Sequence, residues 1–138
     1  MNIIERQIVD VLKCLKEEHG VFEIKAEFEA EGSRVDEMMR LKDVTSSLDL
    51  PIICKIGGVE ALTDMYSALS IGVKGIIAPM AETAFAVSKF INSIEEFIPK
   101  DNAEDVDFAI NIETITAHQN LDSILALKGI ESLQGITV

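Results

Sequence analysis

Apolar residues along this chain alternate between two spacings, one typical of helices and the other typical of strands. The amino-terminal stretch has the helical spacing, with apolar residues at Ile4, Ile8, Val11, Leu12 and Leu15. Gly20 follows this stripe, and glycine is the usual residue at the end of a helix. We therefore predict an amino-terminal helix over residues 1–20.

Five later segments have the short apolar runs that predict strands, namely Val21–Phe28, Pro51–Ile56, Val73–Ala78, Asp107–Ile112 and Leu133–Val138. A helical apolar pattern follows each of the first four. Ser33 to Asp36 resembles a capping box that opens the first of these helices. The acidic stretch from Lys100 to Asp105 is predicted to be a surface loop.

Strands that recur about every 25–30 residues, each followed by a helix, predict a parallel sheet, either a barrel or an open doubly wound sheet. A complete (β/α)₈ barrel needs roughly 200 residues or more. The chain has 138 residues and finishes in an apolar run, and such a strand needs a neighbour on its free edge. We therefore predict one α/β domain over residues 1–138, an incomplete barrel of TIM-barrel-like (β/α) repeats with four to five parallel strands. A flavodoxin-like open sheet is the alternative.

The charge balance bears on partners and on location. The chain has 24 acidic and 12 basic residues, so its surface repels nucleic acid and anionic membranes. No apolar run approaches the roughly 18 residues that a membrane span needs, and the amino terminus is not a signal peptide. Cys14 and Cys54 form no CxxC pair, and we expect both to be reduced and half-buried. These features predict a cytoplasmic protein.

Charged residues lie on strands that a covered parallel sheet would normally keep apolar. In the first strand, alternate residues share one charged face: Glu23, Lys25, Glu27 and Glu29. Lys55 lies near the carboxyl end of the second strand, and Glu113 lies at the end of the fourth. Because active sites of (β/α) barrels form at the carboxyl ends of the strands, these groups are expected to converge on a site. In the simpler interpretation the first strand is a solvated edge and Glu113 caps the next helix.

Glycine and proline residues at two strand ends are weaker candidates. Gly57 and Gly58 could present backbone N–H groups to a carboxylate or phosphate, although a glycine pair is also a common tight turn. Pro79 and Met80 form a rigid exit from the third strand. The two histidines, His19 and His118, are interpreted as surface residues rather than metal ligands.

Two long segments, Lys55–Phe90 and Ala109–Val138, resemble the HpcH/HpaI aldolase and citrate lyase β-subunit family. Gly72–Met80 matches the Gly-Val/Ala-x-Gly-Ile/Val-x-x-Pro-Met segment that is typical of its members. Asn111–Thr114 is similar to their Gln-Ile-Glu-Thr segment. Asn120–Ile124 is similar to their Leu-Asp-x-Ile helix. The resemblance extends over most of the chain from about residue 22 onwards.

This resemblance implies a TIM barrel that makes or breaks a carbon–carbon bond with Mg²⁺ or Mn²⁺. It puts Glu113 at the first metal-ligand position, and the second ligand, an aspartate, would lie beyond residue 138. Lys55 stands where many members have an arginine, and lysine lacks the bidentate fork of arginine. Glu27 and Glu29 retain the acids of the family's first strand, but Ala30 replaces its histidine.

The leading hypothesis is a lyase or aldolase that acts on a 2-oxo acid of the pyruvate or oxaloacetate type, or on a CoA thioester. Glu113 would bind the metal and Lys55 the substrate oxygens. Glu27 or Glu29 would act as a base or orient water, while Gly57, Gly58, Pro79 and Met80 would line the substrate site. We expect a homo-oligomer. The alternative is a non-catalytic half-barrel that lacks the second metal ligand and associates through its open sheet edges.

Overall fold

A computed structural model of the chain describes residues 1–137. Helices and strands alternate along it. The helices are α1 (Ile3–His19), α2 (Val35–Ser46), α3 (Leu62–Ile71), α4 (Ala84–Phe97), α5 (Lys100–Asp105), α6 (Ile115–Gln119) and α7 (Leu121–Leu125). The strands are β1 (Ile24–Glu27), β2 (Ile52–Lys55), β3 (Gly75–Ala78), β4 (Asp107–Asn111) and β5 (Gly135–Thr137).

All five strands are parallel and pair in the order in which they occur in the chain, from β1 to β5. A doubly wound sheet reverses its strand order at a switch point, and no reversal occurs between Ile24 and Thr137. The flavodoxin-like alternative is therefore wrong. The prediction of TIM-barrel-like repeats is confirmed, because consecutive parallel strands that pair in chain order, with a helix between each two, are the repeat of such a barrel.

The two faces of the sheet have different environments. Ala26, Cys54, Ile76 and Phe108 are aligned across four strands, and all are buried in the hydrophobic core against the helices. The alternate residues form the inner face, which a closed barrel would enclose. One row of it consists of Glu27, Lys55, Ile77 and Ala109.

The amino-terminal helix is confirmed as α1. The Asn2 side chain accepts a hydrogen bond from the Glu5 N–H at 2.9 Å, and Glu5 caps the Asn2 N–H in return. At the other end Gly20 is left-handed, with φ 71°. The apolar stripe of α1 buries no residue, and an ion pair between Arg40 and Glu5 joins the helix to α2.

Several local predictions are wrong. The stretch from Lys100 to Asp105 is a helix rather than a loop: it begins after Pro99, whose carbonyl accepts from the Ala103 N–H at 2.9 Å. Ser33 does not cap α2, which starts one residue later. Arg34 occupies the cap position, and its N–H donates to Glu37. The helix after β4 is broken at Asn120 into α6 and α7.

The strands are shorter than the apolar runs that predict them. Phe22 lies within the predicted strand Val21–Phe28, but β1 begins only at Ile24, where pairing with the Pro51 carbonyl starts. Phe22 is consequently exposed. In the fifth strand, Gly135–Thr137 is confirmed, and Val138 lies outside the described residues.

The cysteines are both free, as expected, but neither is half-buried. Cys14 is exposed on α1. Cys54 is fully buried on β2, and burial, reinforced by the negative charges of Asp64 and Glu27, raises the pKa of its thiol to about 12. Cys54 is therefore a core residue that stays protonated near neutral pH, not a nucleophile.

Candidate functional site

An open cleft of about 420 Å³ lies at the carboxyl ends of β1, β2 and β3. It is lined by Glu29, Ala30, Lys55, Ile56, Gly57, Pro79, Met80 and Glu113. The cleft thus brings together six of the eight residues that the sequence singles out. Glu27 lies against Lys55 on the neighbouring strand, and Gly58 is outside the lining.

Lys55 and Glu27 form an ion pair across the strands β1 and β2, with the Nζ and Oε2 atoms 3.0 Å apart. Both side chains are largely shielded from solvent, at 16% and 13% exposure. Lys25 approaches the other Glu27 oxygen at 3.4 Å, but it is half-exposed. The hydrogen bond from Lys55, followed by that from Lys25, holds the pKa of Glu27 below its ordinary value and outweighs the effect of burial.

The lowered pKa of Glu27 predicts a pH-dependent stability. Glu27 binds its proton more weakly in the folded chain than in the unfolded chain. Its contribution to the free energy of unfolding is therefore complete above the ordinary pKa of 4.5, and it is lost as the pH falls through the lower pKa of the folded state. We expect urea unfolding to show wild type more stable than Glu27→Gln at pH 7, with the difference shrinking below about pH 4.5.

Glu31→Gln is the matched control, since Glu31 is an exposed carboxylate nearby that makes no ion pair within residues 1–137. A Glu27→Gln difference that stays constant from pH 7 to pH 3 would show that the ion pair with Lys55 does not contribute to folding.

Glu113 is held in place by two hydrogen-bond donors. Its Oε1 accepts from the Met80 N–H at 2.9 Å, and its Oε2 accepts from the Asn111 Nδ2 at 3.2 Å. The next helix, α6, is capped instead by Thr114, whose hydroxyl oxygen accepts from the Ala117 N–H. The helix-cap interpretation of Glu113 is therefore wrong, and its exposed carboxylate is oriented at the rim of the cleft.

Met80 reaches Glu113 through an unusual backbone conformation. Its φ is 53°, in the left-handed region that residues with a side chain rarely adopt. The preceding Pro79 has a fixed φ of its own, and the chain turns sharply after β3. This turn aims the Met80 N–H at the carboxylate, and strained residues of this kind concentrate at binding and catalytic sites.

Asn111 is a site residue that the sequence did not single out. It is 5% exposed, and its amide connects Thr137 on β5 with Glu113, because its Oδ1 accepts from the Thr137 hydroxyl while its Nδ2 donates to Glu113. An amide that directly follows the apolar run Phe108 to Ile110 at the carboxyl end of a strand is the signal that could have revealed it.

The glycine pair has a different role from the one expected. The Gly57 N–H donates to Asp64 Oδ2 at 2.7 Å, so it is occupied by a side chain of the chain itself. A Cβ on Gly57 would stand 2.5 Å from Cγ of Glu29. Gly57 is therefore needed for the close approach of Glu29. Because α3 begins only at Leu62, neither glycine lies at the start of a helix.

The charges in the cleft bear on whether a cation would be bound there. The carboxyl groups of Glu29 and Glu113 line it, and Lys55, the one basic residue of its lining within residues 1–137, is already paired with Glu27. An anionic substrate would be repelled by this arrangement unless a cation accompanied it. Mg²⁺ is commonly held by one or two carboxylates together with water and substrate oxygens, so the residues present fit such an ion. Among residues 1–137 the cleft does not supply three ligand atoms within 4.8 Å of one another.

A second, more apolar cleft of about 560 Å³ adjoins the first on the far side of Glu113. Its lining includes Ile112, Ile115, Leu121 and Ile136, together with His118. His118 is exposed, as expected for a surface residue. Glu113 therefore stands between a charged cleft and an apolar one.

Comparisons with known proteins support the fold. A citrate synthase, SbnG, superposes with a TM-score of 0.73 at 15% sequence identity, over 94% of this chain and 55% of the other. An HpcH/HpaI aldolase/citrate lyase family protein from Burkholderia cenocepacia J2315 superposes with a TM-score of 0.68 at 11% identity, over 90% of this chain and 57% of the other. The chain thus spans little more than half the length of these neighbours.

The resemblance noted from the sequence is confirmed at the level of the fold, because one structural neighbour is described as a member of that same family. No protein-family profile matches the chain, and no curated protein matches it significantly in sequence. Across residues 1–137 we find no helix with the length and apolar character needed to cross a membrane.

Proposed function

We propose that the cleft at the carboxyl ends of the strands is the active site of a metal-dependent carbon–carbon lyase or aldolase. The observation that carries this proposal is the carboxylate of Glu113, which is exposed to the cleft yet fixed by the Met80 N–H and the Asn111 amide. An acid used only for solubility would not be held by two donors, one of which needs a strained backbone.

A small 2-oxo acid fits the cleft better than a CoA thioester does. The volume of the cleft, about 420 Å³, is at the lower end of the range for ligand pockets, and this size suits a small substrate. A substrate of the 4-hydroxy-2-oxo acid class would bring one carboxylate and one keto oxygen to the charged side of the cleft. Lys55 gives one hydrogen bond to Glu27 and has further donors, so it would orient the substrate carboxylate once a metal ion offsets the acidic charge of the cleft.

The chain's own residues suggest which acid moves the proton. In retro-aldol cleavage a base removes the proton of the 4-hydroxyl group, the C3–C4 bond breaks, and its electron pair forms the enolate of the 2-oxo acid, which is then protonated at C3. Glu27 is a poor base because Lys55 lowers its pKa. Glu29 lines the cleft and is the better candidate, acting directly or through a water molecule.

Mg²⁺ or Mn²⁺ held at Glu113 would supply positive charge to stabilise the negative charge that develops on the keto oxygen. Glu113 is suited to this because its two oxygens each retain a lone pair beyond the hydrogen bonds they accept. Asn111 and Met80 orient the carboxylate, and outer hydrogen bonds of this kind raise metal affinity.

The test is an assay of the purified chain with 4-hydroxy-2-oxo acids in the presence of Mg²⁺ or Mn²⁺, with pyruvate release as the readout. We expect cleavage that a chelator abolishes and that added metal restores. Absence of cleavage across a series of aldehyde chain lengths, with the chain folded by circular dichroism, would overturn the proposal. No observation on the described residues favours the non-catalytic half-barrel.

A further inference from the structure

The carboxyl-terminal turn of α1 carries a group of potential metal ligands far from the cleft. Cys14, Glu18 and His19 place a thiol sulfur, a carboxylate oxygen and an imidazole nitrogen within 4.8 Å of one another. Within residues 1–137 it is the one group of three such residues that comes this close. Because α1 leads into the amino end of β1, the group lies at the opposite end of the sheet from Glu113.

We infer that Cys14, Glu18 and His19 form a three-ligand site for Zn²⁺. Cys14 and Glu18 are four residues apart, so they lie on the same face of the helix, and His19 follows at its end. Donor atoms around a tetrahedral zinc are about 3.3–3.7 Å apart. Small side-chain rotations can close the remaining ångström or so, since all three residues are exposed.

The electrostatic environment favours a cation at this position. The last turn of a helix carries the negative end of its dipole, which attracts cations. Gly20 ends α1 immediately after His19, and a Cβ added to it would meet no other atom within 4 Å. The only lysine in this turn, Lys16, donates to the Leu48 carbonyl instead of pairing with Glu18. The net charge of −12 adds a general attraction for cations.

The chemistry of the three ligands selects the metal. A thiolate and an imidazole suit zinc and are poor ligands for Mg²⁺, which prefers oxygen. Three protein ligands leave one tetrahedral position for water. All three come from a single helix, so binding would also stabilise α1, whose side chains are otherwise not buried. The site is independent of the proposed lyase activity, because it shares no residue with the cleft.

Thiol labelling of the folded chain tests the zinc site directly. Cys54 is fully buried, so an aromatic disulfide reagent should react with Cys14 alone. We expect saturating Zn²⁺ to slow this reaction by at least about tenfold, because a metal-bound thiolate is protected, and Mg²⁺ to have no effect. In the Glu18→Ala/His19→Ala double variant, Zn²⁺ should no longer slow the reaction.

The matched control is Glu17→Ala combined with His118→Ala, which removes an exposed acid and an exposed histidine that are not among the three proposed ligands. This control should keep the full zinc protection. The proposed site would be overturned if Zn²⁺ protected Cys14 from the reagent equally well in the Glu18→Ala/His19→Ala variant, or if Zn²⁺ gave no protection in the wild type. A cobalt titration gives a second readout, since thiolate coordination produces an absorption band that Cys14→Ser must abolish.

Discussion

Replacing Glu113 by alanine is expected to lower the metal-dependent cleavage rate by more than about a hundredfold, since loss of an outer hydrogen bond around a metal ligand already costs 10–100-fold. The carboxylate is exposed, so water can replace it as the partner of the Met80 N–H and the Asn111 amide. The free energy of unfolding should therefore change by less than about 1 kcal/mol. Steady-state kinetics at several Mn²⁺ concentrations, with urea unfolding beside them, would measure both effects.

Two further variants sharpen the interpretation of Glu113. Asn111→Ala removes one of its two donors and leaves the Met80 N–H, so its effect should be smaller, on the order of 10-fold to 100-fold. Glu96→Ala removes an exposed acid of α4 and should leave activity unchanged. If Glu113→Ala retained wild-type activity at every metal concentration, Glu113 would have no part in metal binding or in the reaction.

Replacing Phe90 by alanine is expected to destabilise the fold by about 3–5 kcal/mol. Phe90 is fully buried on α4, and its ring meets that of Phe108 on β4 edge to face, with the centroids 6.2 Å apart. Since a domain of this kind is stable by roughly 5–15 kcal/mol, the substitution removes a large share of the total. The shift of the urea midpoint measures it, provided that the slope of the transition is unchanged.

Phe85→Ala is the matched control for Phe90→Ala. Phe85 lies on the same helix but is 71% exposed, and the Nζ atom of Lys89 lies over its ring, 5.6 Å from the ring centroid. Losing this contact should cost at most about 1 kcal/mol. Equal losses for the two variants would mean that α4 does not pack on β4 through Phe90.

Much of the architecture follows from local patterns in the sequence. The helical spacing around Phe90 predicts the buried face of α4, and Gly20 and Gly72 end helices in the left-handed region. Errors arise where the local signal is weak. Lys100–Asp105 has no apolar stripe, yet a helix begins directly after Pro99, with Asp101 in its first turn, where an acid is favoured.

The candidate site was predicted in part, since Glu29, Lys55 and Glu113 do meet at one cleft. Asp64 was not foreseen, because its carboxylate reaches back from the first turn of α3 to the Gly57 N–H, a contact that the apolar spacing does not report. Asn111 was not foreseen as a site residue either, because its importance lies in the two side chains on either side of it. These roles depend on contacts between elements that are distant in the chain.

By itself the sequence determined the order of the strands and of the main helices between them, and it determined that charged residues stand at the ends of strands. The spacing of apolar residues carries this information, since each element must present one face to the core. Only the tertiary structure decided how the charges are used: Lys55 pairs with Glu27, and the Met80 N–H orients Glu113. Such pairings follow from strand register, backbone turns and side-chain directions, which no periodicity along the chain reports.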